Sequence, residues 1–168
     1  CATSHAAFRH AVMEIGAGVS DVVLVGGAER ILHVPTEHAT EYFAYCSDAS
    51  YEQPTGLTFP GVFALIARAH MDKYGTTEEQ MAHVAVKNHR HGLHNPKAQF
   101  RKEISLETVL KSPYVADPLK LFDCCPFTDG GAAVILASED VARRMRRPVW
   151  VLASEAASDT MFMHEKRD

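Results

Sequence analysis

The sequence predicts a layered α/β fold, and three stretches of the chain carry that prediction. Residues 2–18 show apolar side chains at three- and four-residue spacing and end in glycines, the pattern of an amphipathic helix. DVVLVGG, at 21–27, is a short apolar run closed by glycines, which is typical of a strand buried on both faces. The last third repeats the alternation with the apolar run AAVILAS, the charged helix EDVARRMRR and the apolar run PVWVLAS. Alternating helices and buried strands build layered α/β domains.

Composition narrows the class of protein. A length of 168 residues suits one domain or a piece of a larger one, and 46% hydrophobic with 23% charged residues is a globular composition. The net charge of −4 and the absence of a basic stripe argue against nucleic acid or an anionic membrane as partner. No run reaches the roughly 20 apolar residues of a membrane span. The four cysteines show no disulfide spacing, which favours a reducing compartment.

The middle of the chain reads as an insertion with helices of its own. Residues 28–56 lack a clear period and predict irregular structure. Helical patterns follow at 59–75, where Pro60 suits a first turn and Gly75 a stop, and at 76–92, where Thr76 and Glu79 predict a capping box. On this second helix, one face is expected to carry Met81, Val84, Ala85 and His89. SLETVLKS predicts a short third helix.

Cys1 is the first candidate for chemistry. A thiol just before a helix meets unsatisfied backbone N–H groups and the positive end of the helix dipole, and both favour the thiolate. The small residues that follow leave a substrate room to approach the sulfur. The alternative is a small buried residue at a strand-to-helix turn. His5 and His10 are potential bases, but their spacing alone assigns them no role.

Two further motifs, one rich in histidine and one with adjacent cysteines, contain residue types that bind ligands. NHRHGLHNP and the helix before it place four imidazoles close in sequence: His83, His89, His91 and His94. Their spacing is not a recognised zinc pattern and no cysteine or carboxylate completes a ligand set, so we predict a polar, ligand-facing loop and no metal. In DCCPFTDGG, Cys124 and Cys125 do not form CxxC, whereas Asp129 and Gly130 suit a helix N-cap or a tight backbone approach.

Three ordered segments of the chain resemble thiolases of the sterol-carrier-protein and archaeal types. They are CATSHAAFRHAVMEIGAG, then the long stretch from GLTFPGVF to NPKAQF, and finally LFDCCPFTDGGAAVILASE. The resemblance spans nearly the whole chain. It implies a thiolase-like fold with layers in the order αβαβα, here incomplete and carrying an inserted loop domain.

The resemblance also implies domain boundaries. Residues 1–28 would end the N-terminal thiolase half with its nucleophile helix and a strand. Residues 29–120 would form the inserted loop domain that covers coenzyme A. Residues 121–147 would complete the N-terminal half, and residues 148–168 would begin the C-terminal half.

As a thiolase, the protein would be an acyl-CoA acyltransferase that condenses acyl groups or cleaves 3-oxoacyl-CoA through an acyl-cysteine intermediate. Cys1 matches the nucleophile, and Cys125 matches a position beside the pantetheine arm of coenzyme A. The substrate would be a coenzyme A thioester, with no permanently bound cofactor and no metal. The resemblance further implies a homodimer or homotetramer in the cytoplasm, or in peroxisomes or mitochondria if the source is eukaryotic.

Some thiolase motifs do not occur in this sequence. The GHP-like histidine motif, the NExF- or HDxF-like motif and the CxG cysteine are absent. We therefore expect the sequence to be an interior segment, inactive alone, that begins at its nucleophile. Two alternatives stay open here: a non-catalytic thiolase-like subunit or scaffold, and a hydrolase with an N-terminal cysteine nucleophile. Hydrolases of that kind begin on a β-strand, whereas this chain predicts a helix.

Overall fold

The computed structural model describes residues 2–166. Within them the chain divides into two compact units. The first contains the residues up to Ile31 together with Asp129–Asp159. The second contains Leu32–Thr128 and the residues from Thr160 onward.

The first unit is built on a pair of long strands beside a helix. Helix α1 spans Thr3–Gly16, strand β1 spans Val22–Glu29, and strand β4 spans Gly130–Ala137. The two strands pair antiparallel along their full length, from Val22 opposite Ala137 to Glu29 opposite Gly130. Helix α6, Glu139–Ala142, follows β4 directly. The predicted helix α1 and strands β1 and β4 are confirmed, and α6 forms as well, although it is shorter than the charged run suggested.

The prediction that the first strand is fully buried is wrong for the residues described. The side chains of Leu24 on β1 and Ile135 on β4 are each 70% exposed. The only partner of β1 among residues 2–166 is β4, so one edge of each strand is open in this part of the chain. The apolar composition of these strands is that of a sheet covered on both faces, and α1 packs against only a part of it.

The strand predicted at PVWVLAS does not form either. Residues 148–158 have no regular secondary structure, and Val149 and Leu152 are 93% and 94% exposed. A strand needs a neighbour to accept its backbone hydrogen bonds. No described strand lies beside this segment.

The second unit contains a helix where the sequence predicted irregular structure. Helix α2 spans Thr36–Ala44 and begins directly after Pro35. Phe43, near its end, stacks on Phe127 with ring centroids 5.4 Å apart and also contacts Phe59 at 5.9 Å. The helix is short and its apolar pattern weak. We attribute its formation to these long-range aromatic contacts.

The two long helices of this unit follow the sequence prediction closely. Helix α3 spans Phe59–Tyr74, with Pro60 in its first turn and Gly75 after its end at φ 70°, a left-handed conformation that favours glycine. Helix α4 spans Glu78–Gly92. Its capping box is formed by Thr77 and Gln80, one residue later than the predicted pair Thr76 and Glu79. Both pairs fit the sequence pattern, and the backbone selects the second.

A small hydrophobic core joins α4 to the residues that follow it. Helix α5 spans Leu106–Leu110 and places Val109, which is completely buried, at the centre of the cluster. The other buried members are Ala82, Ala85 and Ile104. The inward face of α4 therefore differs from the predicted one. Ala82 takes part in it, whereas Val84 is 52% exposed.

A short hairpin completes the second unit. Strand β2, Tyr114–Ala116, pairs antiparallel with strand β3, Leu119–Lys120, and the Asp117–Pro118 peptide bond between them is cis. The hairpin runs straight into a 3₁₀ turn at Leu121–Asp123. Two other 3₁₀ turns lie at Gln53–Thr55 and Met163–Glu165. Across residues 2–166, no helix is both long and apolar enough to cross a membrane.

Candidate active site

Cys1, the predicted nucleophile, lies outside the described residues. The helix that follows it is in place: α1 begins at Thr3, with Ala2 as its N-cap residue and no side chain capping its first turn. Unsatisfied N–H groups at such a helix start favour an anion. The first turn also lies close to β1, since a Cβ atom added at Gly27 would come within 3.1 Å of the Ser4 hydroxyl oxygen. Glycine at position 27 therefore keeps the start of α1 close to the strand.

The two histidines of α1 are placed differently. Nε2 of His5 lies 2.9 Å from the backbone carbonyl oxygen of Glu155. A carbonyl oxygen only accepts hydrogen bonds, so Nε2 carries the proton and donates it. His5 therefore ties α1 to the segment after α6, and that bond occupies this nitrogen. His10 is exposed to solvent.

Asp129 joins the ends of the two long strands. Its Oδ1 accepts a hydrogen bond of 2.7 Å from the backbone N–H of Ile31, just beyond β1, and β4 begins at Gly130. Of the two roles predicted for the TDGG motif, the helix N-cap is wrong because a strand follows, not a helix. The tight backbone approach predicted at Gly130 is wrong for that residue, where an added Cβ would meet nothing within 4 Å. It occurs one residue later at Gly131, where an added Cβ would lie 3.4 Å from the Gly27 carbonyl oxygen.

A groove of about 600 Å³ lies in the second unit, and several predicted site residues line it. One wall comes from His89 on α4 together with the segment that leads into α5. The other wall comes from the Leu121–Asp123 turn and the residues after it. Leu121, Phe122, Cys124, Cys125 and Pro126 line this second wall. The second wall is largely apolar, whereas the first combines Phe100 and Ile104 with the charged residues Lys102 and Glu103 and the hydroxyl groups of Ser105 and Thr108.

His89 is the histidine that the fold brings into this groove. Its Nδ1 lies 3.1 Å from the Lys102 carbonyl oxygen and, by the same argument, donates the hydrogen bond. The ring packs between Phe100 and Phe122, at centroid distances of 6.5 Å and 5.9 Å.

The other three histidines of the motif, His83, His91 and His94, are exposed. The part of the chain that the structure describes contains no group of three or more His, Cys, Asp or Glu side chains that could hold a metal ion.

The adjacent cysteines differ in environment. Burial raises the pKa of the Cys124 thiol, and the nearby Asp123 carboxylate and Cys125 add to the shift. Cys124 therefore stays a protonated thiol at neutral pH and is poorly suited to act as a nucleophile. Cys125 is exposed and lines the groove. This position suits contact with a ligand in the groove.

Sequence reasoning missed an ion pair between a buried lysine and a partly exposed glutamate in the second unit. The ammonium group of Lys120 lies 2.7 Å from Oε2 of Glu78, and only 9% of the Lys120 side chain is exposed. The hydroxyl of Tyr114 donates to Oε1 of the same carboxylate at 3.0 Å. Lys120 sits in the apolar run PLKLF, and an isolated lysine in such a run is the one signal the sequence offered.

A second missed residue is Glu52, which is 8% exposed. Its Oε1 accepts a hydrogen bond of 2.8 Å from the backbone N–H of Met163, and its Oε2 accepts one of 3.2 Å from that of Asp48. The carboxylate thus holds the Met163–Glu165 turn against the residues after α2. This contact spans 111 positions along the chain, so no local pattern could reveal it.

Comparison with known families identifies this architecture. Residues 1–140 match the model of the thiolase N-terminal domain. The chain belongs to the thiolase family. The resemblance to thiolases predicted from the sequence is confirmed, and so is the thiolase-like α/β fold.

Relatives of this thiolase chain carry several names. This chain is 44% identical to an acetyl-CoA acetyltransferase of Methanothermobacter thermautotrophicus, and the match covers all of this chain and 44% of the relative. It is 36% identical to sterol carrier protein 2 of Bos taurus, over 95% of this chain and 31% of that protein. A benzoylsuccinyl-CoA thiolase subunit of Thauera aromatica is 34% identical, over 94% of this chain and 41% of the subunit. The chain thus spans less than half the length of these relatives.

A solved structure has a similar fold. The complex named Ltp2-ChsH2(DUF35) aldolase superimposes with a TM-score of 0.68 at 31% sequence identity. The match covers 84% of this chain and 36% of the other.

Proposed function

We propose that the protein is a thiolase-type acyl-CoA acyltransferase with Cys1 as its nucleophile. The observation that carries this proposal is the match of residues 1–140 to the thiolase N-terminal domain, together with 44% identity to a protein named acetyl-CoA acetyltransferase. The helix that starts at Thr3 supports the role of Cys1, because a helix N-terminus favours a thiolate in front of it.

The reaction begins with attack of the Cys1 thiolate on the carbonyl carbon of a coenzyme A thioester. A new C–S bond forms to Cys1, the old C–S bond breaks, and coenzyme A leaves as a thiolate that takes up a proton. The deprotonated α-carbon of a second acyl-CoA then attacks the acyl-cysteine: a C–C bond forms to the acyl carbon, the C–S bond to Cys1 breaks, and 3-oxoacyl-CoA is released while Cys1 returns to the thiolate. In the reverse direction, the thiolate of coenzyme A attacks the acyl-cysteine formed by cleavage of 3-oxoacyl-CoA. Splitting the transfer in this way is the logic of nucleophilic catalysis.

We propose that residues 29–120 form the cover over coenzyme A and that Cys125 lies beside its pantetheine arm. The groove supports this proposal, since it combines apolar side chains with polar and charged groups from His89, Lys102, Glu103, Ser105 and Thr108. A pantetheine arm is a flexible chain with amide groups, and sites of mixed character suit such ligands. Cys125 is exposed at this groove.

We further propose that the protein forms a homodimer or homotetramer. The strand pair of the first unit supports this, because large apolar side chains on it are exposed, Leu24 and Ile135 among them. Contiguous apolar surface of this kind is characteristic of protein–protein contact.

The test of the catalytic proposal is turnover by the full-length protein. We expect it to release coenzyme A from acetyl-CoA during condensation, and to cleave acetoacetyl-CoA when coenzyme A is added. Absorbance of the 3-oxoacyl-CoA enolate follows both directions in one cuvette. A full-length protein that binds acyl-CoA yet shows neither reaction would favour a non-catalytic thiolase-like subunit.

We expect coenzyme A to protect Cys125 from alkylation. A ligand in the groove covers this thiol, so its rate of reaction with iodoacetamide should fall by about ten-fold at a coenzyme A concentration ten times its Kd. Peptide mass spectrometry after timed alkylation measures the rate. Cys46 is the internal control, because it is also exposed but does not line this groove. Equal rates at Cys125 with and without coenzyme A would contradict the placement.

A further inference from the structure

Lys120 is the only lysine or arginine in the part of the chain described here whose whole residue is buried, at 7% exposure. Its ammonium group contacts Glu78 at 2.7 Å and donates to the Leu110 carbonyl oxygen at 2.7 Å. It also lies 4.8 Å from the centre of the Tyr114 ring. Burying an ammonium group is costly unless its donors are satisfied. Here the Glu78 carboxylate and the Leu110 carbonyl oxygen accept hydrogen bonds from the ammonium group, and the Tyr114 ring lies against it.

These contacts connect four elements of the second unit. Glu78 is the first residue of α4, Leu110 the last of α5, and Tyr114 the first of β2. The backbone N–H of Lys120 itself donates to Oδ2 of Asp123 at 2.8 Å, within the turn that follows. One side chain therefore fixes the position of that turn relative to both helices.

The pair is ionised at neutral pH. The hydrogen bond from Lys120 lowers the pKa of Glu78, and Tyr114 adds to this against the opposing effect of burial. The hydrogen bond to Glu78 likewise raises the pKa of Lys120 above its usual range. Both changes favour the charged forms, so the connection between α4 and the turn persists across the physiological pH range.

The elements that Lys120 connects are the ones that build the two walls of the groove. The residues directly after Lys120 supply one wall, from Leu121 to Cys125, while α4 and α5 supply His89 and Thr108 to the other. Phe122 continues the connection inward, because it packs against the buried cluster around Val109. Lys120 itself is not among the groove-lining residues.

We propose that Lys120, paired with Glu78, is a positioning residue that sets the separation of the groove walls and thereby the affinity for the coenzyme A arm. This inference rests on the proposed function of the groove. It assigns Lys120 no contact with substrate. Its effect reaches the ligand through the Leu121–Asp123 turn and the two cysteines that follow.

The test compares variants of the full-length enzyme in steady-state kinetics with acetoacetyl-CoA and in calorimetric titration with coenzyme A. Lys120→Met keeps the length of the side chain and removes its charge. We expect it to raise KM and Kd by roughly ten-fold while kcat changes less than about two-fold. Lys120→Arg, which retains the charge, should restore part of the affinity. Lys111→Met is the matched control, because Lys111 pairs with Glu107 on the exposed side of α5 and should change neither constant.

A role confined to stability predicts a different pattern, since partial unfolding lowers the amount of active enzyme and leaves KM unchanged. Glu78→Gln removes the charge of the partner but keeps its shape. If Lys120→Met does not fold, the KM and Kd of Glu78→Gln distinguish a positioning role from a role in stability alone. The double variant should be no worse in KM than Lys120→Met, because both changes break one contact. Unchanged KM and Kd in the folded variants would overturn the inference while leaving the proposed function intact. A wild-type enzyme with no affinity for coenzyme A would overturn both.

Discussion

Replacing Cys1 with alanine is expected to abolish acyl transfer, lowering kcat by about 10³-fold or more, since nucleophile replacement removes the covalent route altogether. The same change should remove the acyl adduct that forms on the full-length wild-type protein during incubation with acetyl-CoA. Intact-protein and peptide mass spectrometry measure the adduct and locate it. The expected position is the peptide that contains Cys1, because that residue precedes the first turn of α1, which has no side-chain cap.

The matched control is Cys125→Ala. Cys125 is an exposed thiol and, in the proposed complex, lies near coenzyme A. The variant should keep the adduct on Cys1 and lose only affinity. Cys1→Ser gives a second comparison, since a hydroxyl is a far weaker nucleophile than a thiolate at neutral pH. An adduct that persists in Cys1→Ala would place the nucleophile elsewhere in the protein and refute the proposed mechanism.

The local signals in the sequence predicted the regular elements well. Periodicity and glycine stops located α1, and a proline in the first turn with a glycine after the last located α3. The N-cap residue of α4 is Thr77, one position after the predicted Thr76. Neighbouring threonines offer equivalent hydroxyls, so only the backbone geometry distinguishes them.

The failures have a common physical cause. Helix α2 was missed because Phe43 gains its stability from rings that are far away in sequence. Burial of β1 was predicted from its apolar run, but the residues described leave Leu24 exposed. A run of apolar residues indicates that a strand needs apolar neighbours on its faces. It does not state which segment supplies them.

The candidate site shows the same division. The nucleophile and Cys125 were predicted from motifs that resemble thiolases, and both assignments stay predictions. The residues that hold the elements of the groove in place, Lys120 and Glu78, were not predicted. Lys120 and Glu78 lie 42 positions apart along the chain (120 − 78 = 42), and no spacing rule links them. Polar pairs between residues so far apart in sequence become visible only once the fold brings their elements together.

Val109→Ala is expected to lower the free energy of unfolding by about 2 to 3 kcal/mol. Val109 is fully buried, at 0% exposure, at the centre of the cluster with Ala82, Ala85 and Ile104. The change removes two methyl groups from water-free surroundings at about 0.8 kcal/mol each and leaves a cavity that adds a further cost. Denaturant unfolding of the full-length protein, followed by circular dichroism, measures the change in midpoint and slope.

Val84→Ala on α4 is the matched control for this prediction, because it makes the same chemical change at a position that is 52% exposed. Valine and alanine differ in helix propensity, but Val84 and Val109 both lie within helices, so that difference enters both variants alike. The control should therefore change the free energy of unfolding by less than about 0.5 kcal/mol. The difference between the two variants isolates the burial of Val109. Equal effects would mean that the cluster around α4 and α5 does not contribute to stability as its packing implies.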